Sequence, residues 1–124
     1  MGASRSSTTA VGQAGEAYAA AYLMARGLRL LMRNYRCRGG EIDLIMADQQ
    51  QLIFVEVRLR RSRRYGGAVA SVDYRKQQRL RIAALHYLQR YRPDMPPCRF
   101  DLLALQSQCD GEWDVEWLQH IIES

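Results

Sequence analysis

Lysine is nearly absent from this chain: Lys76 stands alone beside seventeen arginines. Any chemistry that needs an amine side chain therefore has one candidate. Cysteine is scarce too. Cys37, Cys98 and Cys109 are far apart and odd in number, with neither Cys-x-x-Cys nor Cys/His spacing, which argues against a zinc ribbon and a disulfide framework. Reduced thiols in a cytoplasmic protein are the expected state. His86 and His120 are isolated, and His86 lies in a helical apolar pattern, so it reads as a packed or surface residue rather than a ligand. No apolar run approaches the ~20 residues a bilayer requires. The opening MGASRSSTTA has no hydrophobic region and is not read as a secretory signal. With no internal repeat and 124 residues, the expected organisation is a flexible tail over residues 1–10 and one domain over 11–124.

Bases are missing from the C-terminal end. All eighteen lie between Arg5 and Arg99, whereas Leu105 to Ser124 contains five acids. Behind a net charge of +5, residues 1–104 carry +10 and the last twenty carry −5. A basic body suits a binder of phosphate backbones, because neutralising phosphates releases counterions. Arginine also matches phosphate geometry through paired N–H donors.

The stretch from Gly39 to Arg58, GGEIDLIMADQQQLIFVEVR, organises the rest. Ile42, Leu44 and Met46 alternate with Glu41, Asp43 and Ile45; Ile53, Val55, Val57 and Leu59 alternate with Leu52, Phe54, Glu56 and Arg58. Strict alternation predicts two strands, and Asp48 to Gln51 reads as their hairpin connection. If the polar faces coincide, Glu41, Asp43, Glu56 and Arg58 project together from an apolar hairpin. A buried ionised carboxylate must be paired, hydrogen-bonded or metal-bound. Two readings follow: a structural ion pair with Arg58, or a site for a hard cation, since Mg²⁺ takes one or two carboxylates plus phosphate.

Asp43 followed by Glu56-x-Arg58 resembles the PD-(D/E)xK nuclease signature, with Arg58 where that signature has lysine. A longer set is more specific: Gly12-x-x-Gly15-Glu16-x-x-Ala19, Asn34-Tyr35-Arg36, Gly40 to Ile45, Phe54 to Val57 and Arg99-Phe100-Asp101. Together these resemble the YraN family of small bacterial proteins, from about Gly12 to about Leu105. The resemblance implies a restriction-endonuclease-like fold similar to Holliday-junction resolvases. It implies that Asp43 and Glu56, with the Val57 carbonyl, hold Mg²⁺ or Mn²⁺, and that Glu16 on the first helix approaches them. For Glu16 the alternative is complementing the helix dipole. A twofold homodimer is also implied by resemblance alone. Arginine cannot act as a general base, so Arg58 can only stabilise charge; either Lys76 reaches the site, or the water at the metal needs no protein base. Asp101 is expected to pair with arginines.

Along the chain, alanines at helical spacing predict a first helix from Gly12, stopped at Gly27. Leu28 to Arg36 reads as a strand, with Tyr35 either stacking on nucleic acid or packed in the sheet. Arg36 and Arg38 end it before Gly39-Gly40. Arg58 to Arg64 holds five arginines and reads as a solvated loop or a mobile clamp on nucleic acid; Arg60, Arg61, Arg63 and Arg64 are its candidate contacts. Ser71 or Asp73 caps a second helix to Tyr91, whose polar side includes Arg75, Lys76 and Arg79. A strand from Arg99 to Leu105 and an acidic edge strand around Trp113 to Leu118 follow. The predicted fold class is α/β, in the order αβββαβ with a C-terminal β extension, a mixed sheet flanked by helices. Three functional classes stand: a metal-dependent nuclease acting on DNA, branched or junction DNA included; a non-catalytic nucleic-acid-binding module; and an adaptor using its acidic tail.

Overall fold

The computed structural model describes residues 10–59, 72–107 and 112–122. The element order is α1 (Ala10–Ala25), β1 (Arg29–Cys37), β2 (Gly40–Ala47), β3 (Leu52–Leu59), α2 (Tyr74–Tyr91), β4 (Cys98–Ser107) and β5 (Trp113–Leu118). One mixed sheet runs in the order β1-β2-β3-β4-β5. Its first three strands form an antiparallel meander, β3 and β4 are parallel, and β5 closes the far edge antiparallel to β4. This is the order expected from periodicity. No helix of the described residues is long and apolar enough to cross a membrane.

The two faces of the sheet carry separate cores. Leu80, Ala83, Ala84, Tyr87 and Leu88 of α2 pack on Ile42, Ile45, Phe54, Leu102 and Ala104. Ala19, Ala20 and Leu23 of α1 pack on Leu44, Met46, Val55, Leu103 and Leu105. Helix boundaries follow local chemistry. Gly27, at φ 99°, and Leu28 donate to the carbonyls of Met24 and Leu23, and Leu28 buries itself beside Leu23, so the end of α1 is hydrogen-bonded and apolar at once. Asp73 caps α2 by accepting from the Lys76 N–H at 2.9 Å.

Strict alternation fails within β2, as it does in β1 where the register shifts between Leu30 and Met32. Ile42 and Ile45 share the α2-side core, while Leu44 and Met46 lie in the other. The inward face therefore switches between Ile42 and Leu44, at Asp43. The neighbouring strand changes at the same level: Asn34 takes φ 53°, which Asn tolerates better than most residues, and pairing resumes at Tyr35 opposite Ile42.

Gly40 explains how closely α2 lies on β2. A Cβ there would overlap the Arg79 carbonyl oxygen and come within 2.9 Å of the Ala83 nitrogen, both backbone atoms that cannot swing aside. At Gly15 the corresponding clash is with the mobile tip of Leu59, at 2.9 Å. Gly40→Ala is therefore expected to cost roughly 1–3 kcal/mol in urea unfolding. Gly15→Ala should be close to neutral, because alanine's helix preference of ~1 kcal/mol offsets the shift of Leu59.

Candidate metal and nucleic-acid site

The hairpin at the centre of the sheet is paired only part of the way. β2 and β3 pair from Ala47 opposite Leu52 to Leu44 opposite Val55. Beyond that, β2 continues against β1 as far as Gly40, and β3 continues against β4 as far as Leu59. The strands thus part where Asp43 and Glu56 stand. Asp43 fills the gap: its Oδ2 accepts the Val57 N–H at 2.8 Å, replacing a ladder bond.

Glu56 projects on the α2 face in register with Leu102 and is only 5% exposed. Two cations approach one of its oxygens. Lys76 Nζ lies 3.5 Å from Oε2, and Arg58 Nε lies 3.8 Å from it. Burial pushes the Glu56 carboxyl above its ordinary value; Lys76 and Arg58 pull it back only in part, and the charge of Glu41 adds to the rise. Asp43 is pushed well above the usual range, first by burial and then by the charge of Glu56. The Val57 hydrogen bond opposes the rise, while Glu16 and Glu41 add to it. Four carboxylates therefore share one electrostatic neighbourhood.

The expected residues are not all placed alike. Glu16 is the seventh residue of α1, beyond the first turn where the helix dipole is felt; its charge acts on Asp43 instead. Glu41 adds its charge to Asp43 and Glu56 from the rim. It is half exposed and pairs with Arg36 at 3.6 Å. Tyr35 is buried and offers no stacking surface: it packs edge-on against Tyr87 and Tyr91, and its hydroxyl shares a hydrogen bond with His86 Nδ1. His86 is accordingly an exposed residue serving the core. Arg36, Arg38, Arg75 and Arg79 are exposed. The turn carrying Arg38 abuts α2 where Gly40 meets Arg79, which puts β1-end and α2 arginines on one side of the molecule. Arg60, Arg61, Arg63 and Arg64 lie outside the described residues, as do Ser71 and residues 1–9 of the tail expected over 1–10; Ala10 is the first residue of α1.

Asp101 has a different duty. It is fully buried and accepts from Arg99 Nε at 3.0 Å, Trp117 Nε1 at 2.9 Å and the His120 N–H at 3.1 Å. Its neighbour Leu103 belongs to the α1-side core, so Asp101 projects on the face opposite Glu56. It ties β5 and the segment after it to β4, and takes no part in the carboxylate cluster. The signal for this is the Arg-x-Asp spacing in a strand, which places both side chains on one face.

Among the described residues no three His, Cys, Asp or Glu side chains converge closely enough to hold an ion by themselves. Two carboxylates with oxygen donors from backbone, water and phosphate remain, a set that suits Mg²⁺ or Mn²⁺. Burial is the main cause that raises both acids; at Asp43 the charge of Glu56 adds to it, and at Glu56 Lys76 and Arg58 offset it only in part. A divalent cation would answer both carboxylates at once, so the residues fit one.

Comparison with known proteins agrees with the motif reading at the level of family. The model of the Uncharacterised protein family UPF0102 matches residues 15–105. A UPF0102 protein of Janthinobacterium sp. (strain Marseille) is 50% identical over 120 residues, covering 97% of this chain and 93% of its own. One from Pseudomonas entomophila (strain L48) is 48% identical over 118 residues, covering 94% and 96%. One from Ralstonia pickettii (strain 12J) is 52% identical over 116 residues, covering 90% and 89%. The chain belongs to the UPF0102 family.

Proposed function

We propose that the chain is a metal-dependent phosphodiesterase acting on DNA, with Asp43 and Glu56 as the ligands of Mg²⁺ or Mn²⁺. The observation that carries this reading is the parting of β2 from β3, which sets two acids side by side with their carboxyl pKa values raised. Raised acids that share a cleft are a recurrent mark of functional sites. In a strand the N–H and C=O of one residue leave on the same edge, so the Val57 carbonyl faces the gap that its N–H faces, and is a third donor. A divalent ion there supplies Lewis acidity toward phosphate and water. Arg58 adds fixed positive charge for the phosphate and moves no proton. Arg36, Arg38, Arg75 and Arg79 hold phosphates along the approach without reading sequence.

The binding arm of this reading has its own test. Changing Arg75 and Arg79 to Gln is expected to flatten the salt dependence of duplex binding, by about 0.9 in log–log slope for each phosphate left without its guanidinium. Replacing Arg60, Arg61, Arg63 and Arg64 together should do more. A slope that stays at the wild-type value in both variants removes these arginines from the interface.

The test of catalysis is a panel of duplex, branched and single-stranded DNAs incubated with protein and Mg²⁺ or Mn²⁺. Cleavage of at least one substrate, lost in Asp43→Ala and in Glu56→Ala, is the expected result. One observation favours a second reading, a nucleic-acid-binding module without chemistry: a guanidinium beside Glu56 where a lysine would serve proton transfer. Binding without cleavage, in wild type and in Arg58→Lys alike, would establish it.

A further inference from the structure

We infer that Lys76 is a resident counter-cation of this site: it holds Glu56 when no metal is present and leaves Glu56 when a divalent ion binds. The inference rests on the proposed cation site and assigns the one lysine a role in regulating it. Three observations carry it. Lys76 Nζ shares one Glu56 oxygen with Arg58 Nε, at 3.5 Å against 3.8 Å, and 29% of the Lys76 side chain is exposed, so the ammonium has solvent to withdraw into. Lys76 belongs to α2, whose first turn is pinned by the Asp73 cap, whereas Asp43, Glu56 and Arg58 belong to the strands. Its flexible four-carbon stem can swing without disturbing any ligand. Finally, Glu56 is only 5% exposed, and a carboxylate that buried needs a partner to hold its charge. A single ammonium close to Glu56 keeps that charge tolerable in the metal-free protein.

The same position makes the ammonium a competitor. A divalent ion on Glu56 would stand within a few ångströms of Lys76 Nζ, and like charges that close repel strongly at the effective dielectric of a protein site. Lys76 must then withdraw. Its amine stays tethered at the mouth of the gap, beside the phosphate's approach, which is where the strand position occupied by Arg58 lacks one. Lys76 thus weakens metal binding in the resting chain and is released toward the phosphate by the metal itself. It acts on the metal through Glu56 and is in that respect a positioning residue.

The test uses Mn²⁺ calorimetry on the full chain and on Lys76→Met and Lys76→Arg. Lys76→Met is expected to bind Mn²⁺ about tenfold tighter or more, the scale of removing a neighbouring like charge. Its melting temperature should rise further on Mn²⁺ addition than that of wild type. Lys76→Arg, which restores the charge, should return to wild-type affinity. Unchanged or weaker Mn²⁺ binding in Lys76→Met overturns the inference while leaving the cation site intact. No Mn²⁺ binding to either protein overturns both. The wild-type chain gives a readout without substitution, because its only lysine yields the only lysine signal in a lysine-labelled NMR sample. Mg²⁺ should shift the Lys76 ε-methylene resonance, and this shift should vanish in Asp43→Asn. A resonance indifferent to saturating Mg²⁺ would sink the exchange.

Discussion

Asp101→Ala is expected to lose about 3–5 kcal/mol of stability, the cost of leaving one partner of a buried ion pair unpaired. Arg99 would then keep its guanidinium beside a void, with only 10% of its side chain exposed. The Trp117 indole N–H and the His120 backbone N–H would also lose their acceptor, each adding the desolvation penalty of an unmet donor. Asp101→Asn keeps an acceptor oxygen and should lose less. Urea unfolding measures both. Because Asp101 lies on the face opposite Glu56, the folded fraction of either variant should behave as wild type does in the proposed DNA binding, which a salt titration of the surviving native protein checks. A loss in Asp101→Ala no larger than that of an ordinary surface change would mean that β5 is held by apolar packing alone.

Asp43→Asn is expected to do the reverse: stabilise the chain and sharply lower its proposed activity. Asp43 and Glu56 both have folded-state pKa values above those of ordinary carboxylates, through burial and, for Asp43, through the charge of Glu56. The native state therefore holds protons that the unfolded chain has released. Stability must fall as pH rises from the ordinary carboxylate pKa through the raised folded values. Neutralising Asp43 removes part of that loss, and its amide oxygen can still accept the Val57 N–H. With EDTA present, the melting temperature of Asp43→Asn at neutral pH should exceed that of wild type, and its decline with rising pH should be shallower. Metal-dependent cleavage should drop roughly 10²–10³-fold, the scale for losing one preorganised charge-stabilising group. A variant less stable than wild type under these conditions would show that the Asp43 charge is held favourably, as an ordinary structural carboxylate.

Much of the fold is legible in the sequence wherever one local rule decides the outcome. Alternation locates the hairpin, Asp73 before a helical stripe gives the cap, and Gly27 after α1 gives its end. Glu56 inside LIFVEV announces a charge that the core must answer. What alternation cannot give is its own interruption at Asp43. The switch of faces depends on Asn34 across the strand pair and on the parting of β2 from β3, both set by tertiary pairing rather than by nearest neighbours. Glu41 stands directly opposite Arg36 of β1 and pairs with it, a contact that only the strand register reveals. A helix beginning at Gly12 would hold Glu16 near the dipole; two residues more at the front of α1 take it out of reach. Tyr35 in a run of arginines suggests a stacking surface, and only the position of α2 reveals that Tyr87 and Tyr91 enclose it. Lys76 is separated from Arg58 by the whole crossover connection, and its approach to Glu56 follows from α2 lying on that face of the sheet.

The most direct measurement of the central claim is a Mn²⁺ titration by calorimetry of wild type, Asp43→Ala and Glu56→Ala, each first shown to be folded. If the parted hairpin builds a hard-cation site, wild type gives one or two weak binding events and both variants give none. Identical heats in all three proteins would contradict the account and leave Glu56 as the acid of a structural ion pair with Lys76 and Arg58.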